Sequence, residues 1–380
     1  SSNTAVGKEA MLSTTTGDSN TGIGKDSLRA NTTADDNTAV GHSSLKANTT
    51  GALNTAVGKS ALAANTTGAN NTAVGVRALE DNTTASGNTA VGYVALPNNT
   101  TGANNTALGY ITLGDNTTGA DNTAIGYNAL AANTTAGNNV AIGKDALKAN
   151  TIGNTNIAIG TDAMTTNVAA DRNVAVGEQA LQNMTAASST DTYNVGVGYN
   201  AGLLITSGTT NVLVGGLSGD AITSGSANTA LGHNSLGSNT TASDNTAIGR
   251  KALFTNSTGT QNTAVGKDAL AANTTSDYNV AIGAETLDAN TTGVRNTGLG
   301  TFALSDNVTG GYNVAVGYAA LNQNTSNYNT AIGYEALLRN VGAAQNTAVG
   351  YRALDHNTTG DNLASLGYNS LTANTTGTNN

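Results

Sequence analysis

Three histidines, twelve tyrosines and 24 acidic side chains are the groups in this 380-residue sequence that could support acid–base, metal or recognition chemistry. A zinc site or a Ser-His-Asp relay needs a histidine held against a second ligand or partner. His42, His233 and His356 stand far apart in the sequence, and cysteine is absent. The glycine-rich calcium-binding nonapeptide of secreted β-rolls is also missing. Asp35 and Asp36 are adjacent, but a lone pair of surface carboxylates is normally solvated. The sequence therefore offers no catalytic constellation, no metal site and no cofactor, and it reads as non-enzymatic. What remains is recognition chemistry, and here the spacing is informative. Tyr93, Tyr110, Tyr127, Tyr199, Tyr318, Tyr334 and Tyr351 each follow an Asn-x-x-x-Gly motif directly, Tyr368 follows one with a one-residue insertion, and Tyr193, Tyr278, Tyr312 and Tyr328 directly precede one. A tyrosine combines a flat apolar body with a polar tip suited to sugars or protein surfaces. The alternative is that these rings favour strands and stack on one another.

The elements that must position these rings recur every seventeen residues. Opening asparagines fall at Asn3, Asn20, Asn37 and onward to Asn173, then at Asn194 and onward to Asn346 and Asn362. The consensus is N-T-A-V-G-x-x-A-L-x-x-N-T-T-G-x-x, numbered here as positions 1–17 from the opening Asn. A short fixed period over a whole chain signals stacked units that bury apolar surface only against their neighbours. Residues 1–380 thus read as one repeat domain, with a bulge near 184–193 and variant coils over 194–227. The sequence begins and ends in mid-pattern and is expected to be a fragment of a longer fibre.

Position 4 is always Val, Ile or Leu, as in Val6, Ile23 and Leu108, and Leu366 holds it after a one-residue insertion following Asn362. Position 5 is always Gly, and position 9 is Leu or Met except at Gly202 and Gly219. Alternation and β-branching at positions 2 and 4 predict a short strand with those two positions facing the core. A second short strand over positions 6–9 is expected to supply the facing wall. Glycine, Asn-Thr-Thr and β-branched runs leave no helical stripe. The Asn-Thr-Thr-Gly turn suits left-handed backbone, and stacked position-12 asparagines are expected to form an amide ladder. Where position 9 becomes Gly202 or Gly219, position 12 becomes Ile205 or Ile222, a swap that places both positions in one core.

Positions 3 and 8 are small nearly everywhere. With Gly at position 5, positions 3 and 5 predict a bare outer ribbon against which sister chains pack, for example Ala5, Gly7, Ala56, Gly58, Ala124, Gly126, Ala264, Gly266, Ala348 and Gly350. The competing explanation is that so narrow a coil has no room for more. A thin core gains stability from association, and closed cyclic symmetry is its usual outcome. The net charge of −9 argues against nucleic acid, which needs a basic stripe. No apolar run reaches the ~18–20 residues of a membrane helix. Absence of cysteine does not choose a compartment.

Asn139–Gly143, Asn279–Gly283 and Asn156–Gly160 resemble the head repeats of trimeric autotransporter adhesins, and Asn346–Leu354 resembles repeats of phage tail-fibre and related bacterial fibre proteins. The resemblance covers the whole chain, although the period is longer than that of most adhesin heads. It implies a left-handed parallel β-roll, three chains side by side, an extracellular cell-surface or virion location, and multivalent attachment to a glycan or protein receptor. Two alternatives stand beside it: an end-to-end structural filament, since open solenoid ends invite pairing, and an ice-binding solenoid. The adjacent threonines of positions 13 and 14 point to opposite sides when extended, which disfavours a flat ice-binding file there.

Overall fold

A computed structural model describes residues 2–186 and 188–379, so Ala187 of the expected bulge and Asn380 lie outside the described residues. The chain winds as an all-β parallel solenoid of about 21 turns, with coils of about 17 residues and no helix among the described residues. It divides into two compact units, Ser1–Tyr193 and Asn194–Asn380. In the first unit, strands such as Thr4–Val6, Thr55–Val57 and Thr123–Ile125 form a parallel ladder. In the second, Val212–Val214, Thr263–Val265 and Thr347–Val349 do the same. Register follows the repeat: Thr55, Ala56 and Val57 pair with Thr72, Ala73 and Val74.

The strand is real, but its facing is the reverse of the expected one. Position 3 points inward: Ala56, Ala124, Ala264 and Ala348 have no solvent exposure. Position 4 points outward, with Val57 37%, Leu108 45% and Leu299 45% exposed. A coil this narrow has room opposite the position-9 leucine for a methyl group only. Alternation then sends the larger aliphatic side chains to the surface. The candidate inter-chain alanines are therefore core residues of their own chain. Ala5, in the first coil, is the exposed exception.

The invariant glycines also answer to their own chain. Gly7, Gly58, Gly126, Gly266 and Gly350 all have φ near +135°, a region open to glycine and strained for other residues. A Cβ on Gly126 would lie 2.6 Å from the carbonyl oxygen of Gly143, one coil further on. Close approach of coil against coil by itself demands glycine here.

Positions 6–9 form a turn and not a second strand. Position-7 and position-9 residues are left-handed, for example Asp26 (φ 58°) and Leu28 (φ 48°). Each such non-glycine residue costs about 1–2 kcal/mol. The leucine is held there by full burial in the solenoid interior, which is worth roughly as much.

Two amide ladders recur in both units, the position-12 one interrupted in the second unit at Ile205 and Ile222. At position 12, Asn65 donates Nδ2 to Asn48 Oδ1 (2.8 Å) and to Gly68 O (2.9 Å), and Asn82 repeats the pattern on Asn65 (2.9 Å). This is the ladder expected of the Asn-Thr-Thr-Gly turn. The second, at position 1, is a further finding. Asn54 donates Nδ2 to Gly68 O (2.9 Å), and its Oδ1 accepts the backbone N–H of Asn71 (3.0 Å). Both asparagines are fully buried, so their amides supply the satisfied polar pairs that a buried turn requires. Asn31, Asn48 and Asn116, which fit a glycosylation pattern, lie in the position-12 ladder and have no exposed surface.

Departures from the period follow the same plan. The last coil opens at Leu363, not Asn362: Leu363 fills the position-1 slot at 2% exposure and donates its N–H to Asn346 Oδ1 (2.9 Å). The expected insertion is therefore a substitution. One residue is lost from the turn after Asn324, whose Nδ2 donates to Ser326 O two residues on. Within the described part of the bulge, Thr190–Asp191 pairs in parallel with Ala170–Asp171, and Arg172 is ion-paired with Asp191.

In the variant coils Ile205 and Ile222 are fully buried, confirming that positions 9 and 12 share one core. Leu213, the large exception at position 3, is buried with them. A Cβ on Gly219 would lie 2.8 Å from both Ile222 Cδ1 and Leu213 Cδ2. Gly219→Leu is accordingly expected to cost about 1–3 kcal/mol by overpacking. Adding Leu213→Ala and Ile222→Asn, which restores the consensus triplet, should return most of the lost melting temperature in a thermal denaturation scan.

Candidate functional surface

The feature the fold presents most regularly is the outer face of its strand ladder. Position 2 (Thr, Val or Ile) and position 4 (Val, Ile or Leu) project from it in coil after coil, while positions 17 and 6 form its two margins. Ile23, Val74 and Leu231 are among the exposed aliphatic side chains of the central file. Scattered exposed leucines are ordinary, but a continuous apolar file is not.

The tyrosines occupy the margins and are exposed, as the sequence indicated. At position 6, Tyr93, Tyr110 and Tyr127 stack with centroids 5.4 and 5.5 Å apart and interplanar angles of 13° and 6°. Tyr318, Tyr334, Tyr351 and Tyr368 stack at 5.2, 5.3 and 5.1 Å. Tyr199 belongs to the same column, but its next neighbour there is Gly216. At position 17, Tyr312 and Tyr328 stack at 5.1 Å, and the Arg295 guanidinium lies 5.2 Å from the Tyr278 ring centre and 5.5 Å from that of Tyr312. These separations lie within the range of favourable ring contacts. They also cover the ring faces, so the stacked tyrosines present edges and hydroxyls outward, and the flat surface a sugar would stack on is taken by the neighbouring ring. Hydrogen bonding to Glu335 raises the Tyr334 phenol above its ordinary value and keeps it neutral.

Charged columns border the aromatic ones. Lys25–Asp26 and Lys144–Asp145 lie at 3.8 Å, and Lys267 reaches Asp268 at 3.2 Å and Glu285 of the next coil at 2.9 Å. Those carboxylates raise the Lys267 ammonium above its usual range, the Glu285 hydrogen bond first. Exposed pairs of this kind contribute little stability.

Elsewhere the surface is plain. A shallow groove of about 330 Å3 lies where position 10 shrinks to Gly114, lined by Val94, Pro97 and Ile111 and edged by Arg77 and Lys148. His42 and His233 are exposed at position 6, and His356 Nδ1 lies 2.6 Å from Asp355 Oδ1. Among the described residues no group of three or more His, Cys, Asp or Glu is placed to hold a metal. No helix among them is long and apolar enough to cross a membrane.

The position-1 ladder and the outward aliphatic file are the two features sequence reasoning missed. The recurrence of the opening Asn in every coil but the last was the available signal for the first. The second had none, because alternation alone does not say which file faces in. Neither a protein-family model nor a curated protein matches this chain.

Proposed function

We propose that the chain is a non-enzymatic shaft of an extracellular fibre, akin to an adhesin head or tail fibre, in which three copies pack side by side. The observation that carries this reading is the outward file of Val, Ile and Leu at position 4 within each unit, with Ile23, Val57 and Leu108 exposed in the first and Leu231, Ile282, Leu299 and Ile332 in the second. Soluble single chains rarely leave so long an apolar surface open. Packing through this file replaces the alanine–glycine ribbon as the basis of association. A repeating surface multiplies weak contacts with a glycan or protein receptor through effective concentration. The tyrosine margins, with hydroxyls outward, are the groups available for such contacts.

Paired substitutions test the association directly. Leu231→Lys with Leu299→Lys places charge on side chains 47% and 45% exposed, so the fold should persist by circular dichroism. Sedimentation should show single chains for the variant and a multi-chain species for the parent. An unchanged multi-chain mass would remove the aliphatic file from the interface.

A second reading draws on one specific observation. Thr4, Thr21, Thr38, Thr55, Thr72, Thr89, Thr106 and Thr123 occupy position 2 in successive coils of the first unit. This regular outward file differs from the Thr-Thr turn pair and suits ordered water. A thermal-hysteresis assay distinguishes an ice-binding solenoid from a fibre shaft.

A further inference from the structure

In three coils the two margins of the strand face carry residues of complementary charge or chargeability. In the first unit, Asp36 and His42 flank one strand and Arg172 and Glu178 another, and in the second Asp244 and Arg250 flank a third. All six side chains are exposed. No coil carries like charges on its two margins, and the order of signs is inverted between Arg172/Glu178 and Asp244/Arg250. Aromatic margins match too: Tyr312 stands opposite Tyr318, and Tyr328 opposite Tyr334.

Contacts within one chain do not account for this match. The margins are separated by the strand, whose three residues alone span about 10 Å. Arg172 is ion-paired with Asp191 and Arg250 with Asp268, each within its own margin. Among the described residues, Glu178, Asp244 and Asp36 take part in no ion pair, although each faces a residue of complementary charge or chargeability across the strand.

We propose that copies of this chain lie parallel and level, with the position-6 margin of one copy seated against the position-17 margin of the next. The occupant of each margin is a second copy of the chain, and the inference rests on the side-by-side reading given above. In a cyclic, head-to-tail arrangement unlike margins meet at every seam. A level register brings Arg250 of one copy to Asp244 of its neighbour, and Glu178 to Arg172. An antiparallel two-fold pair would set position 6 against position 6, and therefore lysine against lysine or tyrosine against tyrosine. The aliphatic file closes the centre and the charged and aromatic margins set the register, a division of roles common at interfaces.

The chain has no cysteine, so introduced thiols report cleanly. The full chain carrying Asp244→Cys and Arg250→Cys is oxidised and run without reductant, beside each single variant. A disulfide needs Cα atoms about 4.4–6.8 Å apart, which the strand between the two sites prevents within one chain. The double variant should give covalent species of two and three chains, and each single variant none. A multi-chain mass by sedimentation with no covalent species from the double variant overturns the level seam while leaving side-by-side assembly standing. A single-chain mass for the parent overturns both. As a second probe, Asp244→Arg should weaken assembly about tenfold or more, and adding Arg250→Asp should recover it. Failure of that recovery counts equally against the seam.

Discussion

Gly126→Ala is expected to unfold the coils around it, at a cost above about 4 kcal/mol. Two effects add. The residue sits at φ +130°, where a side chain is strained. Its new methyl would also lie 2.6 Å from the carbonyl oxygen of Gly143 and 2.8 Å from its carbon. The obstacle is backbone, held in the ladder by the N–H of Gly143 donating to Ile125 O at 2.8 Å, so no rotamer change relieves it. Because each coil rests only on its neighbours, damage at one site spreads along the stack. Thermal denaturation and limited proteolysis should both register it in the isolated chain. If this glycine served contact between chains instead, the variant would keep its melting temperature and lose only its partners.

The second large effect concerns the buried amide at position 1. Asn71 donates Nδ2 to Ala85 O (2.9 Å) and Asn54 Oδ1 (3.2 Å), and its Oδ1 accepts the N–H of Asn88 (2.9 Å). Asn71→Leu should cost about 1–3 kcal/mol by leaving the Asn88 amide unpaired, while the Ala85 carbonyl keeps its bond from Asn82 Nδ2 (3.0 Å). Leu363 shows that the slot can hold leucine in the last coil. Asn71→Asp should cost more, because a carboxylate cannot donate to Ala85 O and brings a charge into a fully buried position. Its pH dependence has a definite sign. Burial disfavours the charged form and raises the folded-state carboxyl value above its unfolded value. The two states then bind protons equally below the ordinary carboxylate range, and the folded state loses stability as pH rises through and beyond it. Denaturant midpoints at pH 4 and pH 7 should therefore converge for parent and Asn71→Leu but separate for Asn71→Asp.

The sequence was most readable where residues change together. Gly202 with Ile205 and Gly219 with Ile222 located two inward positions, and full burial of both isoleucines agrees. The Asn-Thr-Thr-Gly turn and its position-12 ladder followed from chemistry that few other residues can perform. The sense of the strand was not readable. Both of its files are apolar, and the usual expectation sends the larger residue inward. The small interior of the coil decides otherwise, and that dimension appears only when Leu62 and Ala56 are seen filling it together, both without exposure. The second strand failed for a different reason. Leucine at φ near +50° contradicts local preference, and only tertiary burial holds it there. Of the surface, the tyrosine columns were foreseen, while the mutual stacking that covers their ring faces needed coordinates.

In the proposed fibre the aliphatic file is covered by other copies of the chain. Sedimentation equilibrium of the purified chain at micromolar concentration tests this most directly. A trimeric shaft should give a species of three times the 37.5 kDa chain mass. A species of one chain mass, still folded and with Val57 and Leu299 open to water, would contradict it.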